Sequence, residues 1–297
     1  MVGGTSQRRI HWRPMEFEKW HALGNDYVIV EAADLPFELT EARIQAICAS
    51  HTGVSADGIL LLSEPEQPGY VARLRIFNPD GSEAELSGNG TREAVMYLRR
   101  HEWTDSDSFA IQTAAGEIRP RITSDTECTV DMGRAMLRSQ SYPAGSADGR
   151  GELTAGGRTW RFQFVQVGNP QCAIRVADER ELATLDIRAF GPDIEHHELF
   201  PNRTNVSWFV ELAPGRIRAR IFERGVGETS ASGTGATGAA VAYVLDGGSS
   251  PVTVVLDGGE LEVEVSGDLD IELSGWAVPV FRGTLAETFI EELHATK

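Results

Sequence analysis

The sequence predicts an α/β (α+β) protein built from two homologous halves. Three observations carry this: a register of short internal repeats, strand-like and helix-like segments in the same order in each half, and sufficient length. Arg75-Ile76-Phe77, Glu83 and Ser87-Gly88-Asn89-Gly90 recur as Arg220-Ile221-Phe222, Glu228 and Ser232-Gly233-Thr234-Gly235, each at an offset of 145 residues. Gly24-Asn25 of HALGNDY recurs as Gly168-Asn169 of VQVGNPQ at an offset of 144. Matches held in one register across half a chain indicate duplication. At 297 residues the chain accommodates two domains, each of about 100–150 residues.

Taken in order, GILLLSE, YVARLRIF, FAIQT and CTVDM of the first half are short β-rich runs, and YVARLRIF alternates as a half-buried strand does. GTREAVMYLRR has helical spacing. The Gly-, Ser- and Pro-rich stretch SQSYPAGSADGRGELTAGG, residues 139–157, reads as a surface loop near the boundary. In the second half RIRARIF is the strand and GTGATGAAVAYVL the small-residue helix, followed by strands VTVVL, LEVEV and LDIEL. The final strand, within AVPVFRGTLAE, is expected to return to the first domain. The expected division is a disordered extension at 1–14, an N-terminal domain of 15–133 plus 276–297, and a C-terminal domain of 134–275. Met15 is an alternative start.

Charge and cysteine content narrow the function. With 27 Lys and Arg against 44 Asp and Glu, the net charge is −17. A field of that sign repels nucleic acid and anionic membrane surfaces, so the expected partner is a small molecule. Cys48, Cys128 and Cys172 are too few and too scattered for a disulfide framework, and no metal-ligand spacing is present. A cytoplasmic, metal-free protein is expected. No apolar run reaches the roughly 18 residues of a membrane helix.

The repeated glycine loops carry the chemistry. A helix N-terminus presents unpaired N–H groups and about half a positive charge, so a Gly-rich turn entering it suits an anion. Two such turns related by duplication form a pair facing one cleft. An α-amino acid carboxylate held there shows opposite faces of its Cα to the two loops, the geometry racemisation requires. Developing enolate charge would be held by the same amides. The plainer alternative makes Ser87 and Ser232 simple N-caps. GTGATG, residues 233–238, also fits a dinucleotide fingerprint with Asp257 downstream, but ten residues separate its strand from Gly233.

HALGNDY, SHTGVSADGILLL, RIFNPDGSEAELSGNGTREA, VGNPQC, FPNRTNVSW and ERGVGETSASGTGATGAA together resemble the diaminopimelate epimerase family, in that family's order. The resemblance covers nearly the whole chain from Met15. It implies two pseudo-symmetric domains, each a curled β-sheet or barrel around a central helix, in a homodimer. It also implies cofactor-independent, two-base interconversion of LL- and meso-diaminopimelate in lysine and cell-wall biosynthesis, without PLP. Residue by residue, it implies that Asn25, Asn78, Asn169 and Asn205 line the substrate pocket and that Glu223 and Arg224 contact its amino and carboxylate groups. Gly88, Asn89, Gly233 and Thr234 would offer amides to the reacting carboxylate.

The family's two acid/base residues are cysteines, and the matching positions here are Ser87 and Ser232. A serine hydroxyl lies on the order of five pKa units above a thiol, roughly 7 kcal/mol. A helix terminus contributes at most about 2 kcal/mol, so the dipole alone makes no alkoxide. Gln171 stands where the family often has His, and Cys172 is expected in the core. Glu83 and Glu228, four residues before each serine, are either bases acting through the hydroxyls or braces of the loops. Two further readings stay open: other isomerase or dehydratase chemistry on the same scaffold, and amino-acid binding without catalysis.

Overall fold

The computed structural model describes residues 13–296. Most of the expected extension at 1–14 therefore lies outside the described residues. Of its last two residues, Arg13 donates to the carbonyl of Ala33 at 2.7 Å.

Two open sheets carry the chain. The first has eight strands in the order Val278–Thr284, Glu16–Ala22, Asn25–Glu31, Ile59–Ser63, Ala72–Phe77, Ile111–Thr113 and Gly116–Ile118, with Glu83–Ala84 paired to Ala72–Phe77. The second has eleven, running Arg150–Ala155, Arg158–Val167, Asn169–Arg175, Asn205–Ala213, Arg216–Glu223, Val252–Leu256, Gly259–Val265, Asp270–Trp276, Glu127–Arg134 and Arg121–Ile122, with Gly227–Thr229 on Arg216–Glu223. Neither closes into a barrel. The duplication is visible in the pairing. Asn25–Glu31 runs parallel to Ile59–Ser63 as Asn169–Arg175 runs parallel to Asn205–Ala213. Ala72–Phe77 runs parallel to Ile111–Thr113 as Arg216–Glu223 does to Val252–Leu256. The last strand returns to the first sheet, antiparallel to Glu16–Ala22.

The two central helices, Gly88–Arg100 and Gly233–Leu245, are 13 residues each and start and stop at the repeat offset. The second is apolar all round, as a helix wrapped by a sheet should be; it packs against strands from Arg158–Val167 through Asp270–Trp276. One core joins both helices, with Ala94, Val95 and Leu98 of the first and Ala236, Ala239, Ala240 and Val241 of the second fully buried. An aromatic cluster of Tyr142, Trp160, Phe162, Phe164, Phe200 and Trp208 lies under the short helices Glu179–Thr184 and Ile187–Glu195. A third cluster packs Met15, Phe17, Ile44 and Ile47 against Leu285, Ile290 and Leu293 of the C-terminal segment.

Two features differ from the sequence expectation. Within the stretch read as a loop, Arg150–Ala155 is the edge strand of the second sheet, turned back on Arg158–Val167 through Gly156-Gly157 with φ of 57° and 74°. Two glycines with positive φ make the tight turn a two-residue hairpin requires. Residues 121–134 pair with the second sheet although they precede the expected boundary. Among the described residues, no helix is long and apolar enough to cross a membrane.

Candidate active site

Ser87 and Ser232 both cap their helices. Each backbone is extended, and each Oγ accepts from the N–H three residues on, Gly90 and Gly235, at 3.1 Å. Both serines thus fill the N-cap role of the plainer alternative. The helices meet head to head: a Cβ added to Gly88 would lie 3.3 Å from the Cα of Gly233, and one on Gly233 would lie 3.3 Å from the Cα of Gly88. Leu273 supports both glycines from below, at 3.4 Å and 3.0 Å from those added atoms. A side chain at either glycine would crowd the other helix, and the approach brings two positive helix ends together.

Behind each serine stands a different set of groups. The Tyr27 hydroxyl donates to Ser87 Oγ at 3.3 Å. On the other side Ser232, itself buried, faces the Glu223 carboxyl. Burial pushes that carboxyl up; the Ser232 hydroxyl draws it back and Asp57 adds to the rise. Tyr27 shares an electrostatic neighbourhood with Glu223, Glu93 and Asp57, so the surroundings of the two serines are coupled.

Under the first loop runs a polar chain. Arg92, fully buried, donates to the Gly88 carbonyl at 3.0 Å and to Asn89 Oδ1 at 2.7 Å. Asn89 donates to Asn25 Oδ1 at 3.1 Å, and Asn25 to Asp57 at 2.7 Å. At Arg92's repeat position is Thr237, whose hydroxyl bonds the Gly233 carbonyl at 2.8 Å. The next residue breaks the symmetry further. Glu93 is fully buried with neither oxygen hydrogen-bonded at normal geometry. Its counterpart is Gly238, where an added Cβ would lie 2.8 Å from the Gln171 side chain. Burial pushes the Glu93 carboxyl well above the usual range, opposed by Arg92 and reinforced by Asp26 and Asp57.

The remaining expected site residues fall into three groups. Buried Asn205 accepts the Arg224 N–H at 2.8 Å, and Arg224 Nη1 donates to the Asn202 carbonyl at 3.0 Å. Arg224 and Asn169 line one cavity of 480 Å³ with Glu85 and Arg203, and the Gly168 turn leans on Leu86, next to Ser87. Gln171 donates to Asn169 Oδ1. Thr234 is partly buried in the first turn of its helix, whereas Asn78 is tied into its own turn by Ser82 at 3.0 Å. Glu83 and Glu228 are braces: Arg75 grips Glu83 at 2.9 and 2.7 Å, and Arg220 and Arg188 hold Glu228. Cys172 is a core residue whose thiol burial pushes far up. Tyr27, Asp57, Arg92 and Glu93 were not singled out by sequence reasoning, although all four lie in the quoted motifs HALGNDY, SHTGVSADGILLL and RIFNPDGSEAELSGNGTREA.

A family model for diaminopimelate epimerase matches residues 17–137 and 163–277. The diaminopimelate epimerase of Synechococcus sp. (strain JA-3-3Ab) is 40% identical over 282 residues, covering 92% of this chain and 99% of its own. That of Magnetococcus marinus is 40% identical over 273 residues, covering 91% and 96%. The chain belongs to the diaminopimelate epimerase family. Among solved structures, a Bacillus anthracis phenazine biosynthesis protein of the PhzF family superposes with a TM-score of 0.66 at 18% identity, covering 92% of this chain and 99% of that one. A hydroxyproline epimerase from Agrobacterium vitis gives 0.64 at 15%, covering 93% of each. These show that the family member described here has the two-unit fold those proteins share.

Proposed function

We propose that this protein is a diaminopimelate epimerase in which two serines occupy the acid/base positions. The observation that supports the reading is the abutment of Gly88 and Gly233, which brings together the N-termini of the two helices that Ser87 and Ser232 cap. The substrate carboxylate lies in that gap, held by the loop amides of Gly88, Asn89, Gly233 and Thr234. Glu223 takes the α-amino group, Arg224 a carboxylate, and Asn25, Asn78, Asn169 and Asn205 complete the pocket. The amides stabilise enediolate charge as the Cα proton leaves. Ser232 removes that proton while passing its own to Glu223, so no free alkoxide forms. Ser87 delivers its proton to the opposite face as the Tyr27 hydroxyl, which donates to it, passes on its own, and exchange with solvent reprotonates Tyr27 and deprotonates Glu223 before the next turnover.

All proton-transfer groups come from the chain, in keeping with a reaction that uses neither PLP nor metal. Three free, buried cysteines accord with a cytoplasmic setting. A homodimer is supported by Val278–Thr284, an edge strand of the first sheet exposing Val280 at 53% and Phe281 at 45%. Apolar edges favour strand pairing with another chain. Phe281→Asp should then shift the sedimentation coefficient to that of a monomer.

The deciding experiment incubates the protein with LL-diaminopimelate in D2O and follows the Cα signal by NMR. Exchange with formation of the meso isomer is expected. Binding without exchange, together with exchange restored in a Ser87→Cys, Ser232→Cys double variant, would leave this chain an amino-acid-binding relative.

A further inference from the structure

The turn that carries Glu223 and Arg224 is held from behind by one buried carboxylate. The Glu223 carbonyl accepts the Val226 N–H at 3.1 Å, and Gly225 has the positive φ, 78°, that the third residue of a type II turn requires. Glu195 Oε1 accepts the Gly225 N–H at 2.9 Å and Arg203 Nη1 at 3.2 Å. A single oxygen thus joins this turn to the 201–204 loop, whose Asn202 carbonyl takes Arg224 Nη1 at 3.0 Å. Arg203 itself sits in the left-handed region, at φ 60°, with its N–H on the Phe200 carbonyl at 2.8 Å. A non-glycine residue adopts that conformation only when its surroundings hold it there.

A carboxylate is ill placed here as a mere tie. Glu195 is the last residue of helix Ile187–Glu195, where the helix end is negative, and its side chain is only 5% exposed. The duplicated turn in the first half does without one. Asn78 to Gly81 stand at the repeat positions of Glu223 to Val226, and the Gly81 N–H likewise meets the Asn78 carbonyl, at 3.0 Å. There a neutral amide makes the tie: Gln45 of helix Glu41–Cys48 donates to the Asp80 carbonyl at 2.7 Å. The charged tie is found only behind the turn that bears an arginine.

Arg203 and Arg224 line the same 480 Å³ cavity. Two guanidinium groups on one cavity repel each other and compete for a single anion. Glu195 resolves the competition: it commits Arg203, whereas Arg224 bonds a carbonyl and has no ion pair among the described residues. We propose that Glu195 and Arg203 are positioning residues that fix the 223–226 turn and leave Arg224 as the uncommitted cation that meets a substrate carboxylate. This deepens the epimerase reading and rests on it. Neither residue touches the reacting carbon, so their contribution is to binding, and it passes through Arg224.

The test is a pair of double-variant cycles with LL-diaminopimelate as the probe. Glu195→Gln and Arg203→Met are each made in the wild-type and in an Arg224→Gln background; Kd is measured by titration calorimetry, and KM and kcat by epimerisation. In the wild-type background each should raise Kd and KM about tenfold, the margin of a charge-assisted hydrogen bond over a neutral one, with kcat changed less than about threefold. In the Arg224→Gln background neither should raise Kd more than about twofold, because the group they position is gone. The double variant Glu195→Gln, Arg203→Met leaves no unpaired buried charge and should show the same tenfold loss, which keeps the test available if Arg203→Met alone does not fold. Equal losses in both backgrounds would make the pair a general brace of the fold. A fall in kcat with Kd unchanged would place it on the chemistry, and no change in wild type would detach it from Arg224; each of these overturns the proposal. Calorimetry needs no turnover, so the cycle still decides if the wild type binds without epimerising. Absence of binding by the wild type would overturn the epimerase reading, and the positioning role with it, a result distinct from the others.

Discussion

Replacing Glu93 with glutamine asks what an uncompensated buried carboxyl does to the fold. Its folded-state pKa is raised, chiefly by burial, so the folded chain holds a proton that the unfolded chain releases above about 4.3. Below that pH both states are protonated and the wild type carries no penalty. Above it, the wild type loses stability relative to Glu93→Gln by about 1.4 kcal/mol for every pH unit, until the folded carboxyl itself ionises. Because the other titrating groups are shared, the difference between the two proteins isolates this residue. Urea unfolding at unit intervals from about pH 4 to about pH 8 should show near-equal stability at the acid end and a growing advantage for the variant as pH rises. A difference that stays flat, or a variant that is less stable at neutral pH, would refute the reasoning and show an ionised Glu93 paired with Arg92.

Three further outcomes follow from the same geometry. Arg92→Met leaves the Gly88 carbonyl and Asn89 Oδ1 without their buried donor and should destabilise the protein by about 3 kcal/mol in urea unfolding. Gly233→Ala places a methyl 3.0 Å from Leu273 Cδ2 and 3.3 Å from the Gly88 Cα, forcing the helix ends apart; kcat should fall at least about tenfold with the far-UV spectrum unchanged, since misplacement of about 1 Å is felt strongly in catalysis. Glu223→Gln removes the acceptor of the Ser232 proton and should lower Cα exchange by about 100-fold or more, measured by deuterium incorporation.

The strands and both central helices were legible because each is written locally. Alternation marks Ala72–Phe77 and Arg216–Glu223, and the serine-glycine loops mark where the helices begin. Arg150–Ala155 is hidden by its glycine-rich surroundings, although Gly156-Gly157 is itself a hairpin signal. The paired loops, their serines and the bracing or catalytic choice for Glu83 and Glu228 could be framed from sequence, and the arginine grips then decided the latter. Arg92 and Glu93 could not be found that way. Helical spacing gives a charged pair an outer face by default, and here there is none, because the first central helix is buried from Gly88 to Leu98. That burial comes from strands drawn from distant parts of the chain, including Glu127–Arg134 of the second sheet.

The return of Val278–Thr284 to the first sheet governs the order in which the chain can be completed. Until the segment from Val278 to Leu293 is made, Glu16–Ala22 has an open flank, and Met15, Phe17, Ile44 and Ile47 lack the cover of Leu285, Ile290 and Leu293. The half made first is finished last. A chain halted after Trp276 holds every residue of both serine loops and still leaves one of the three apolar clusters uncovered, so the segment from Val278 to Leu293 fastens the first half of the fold.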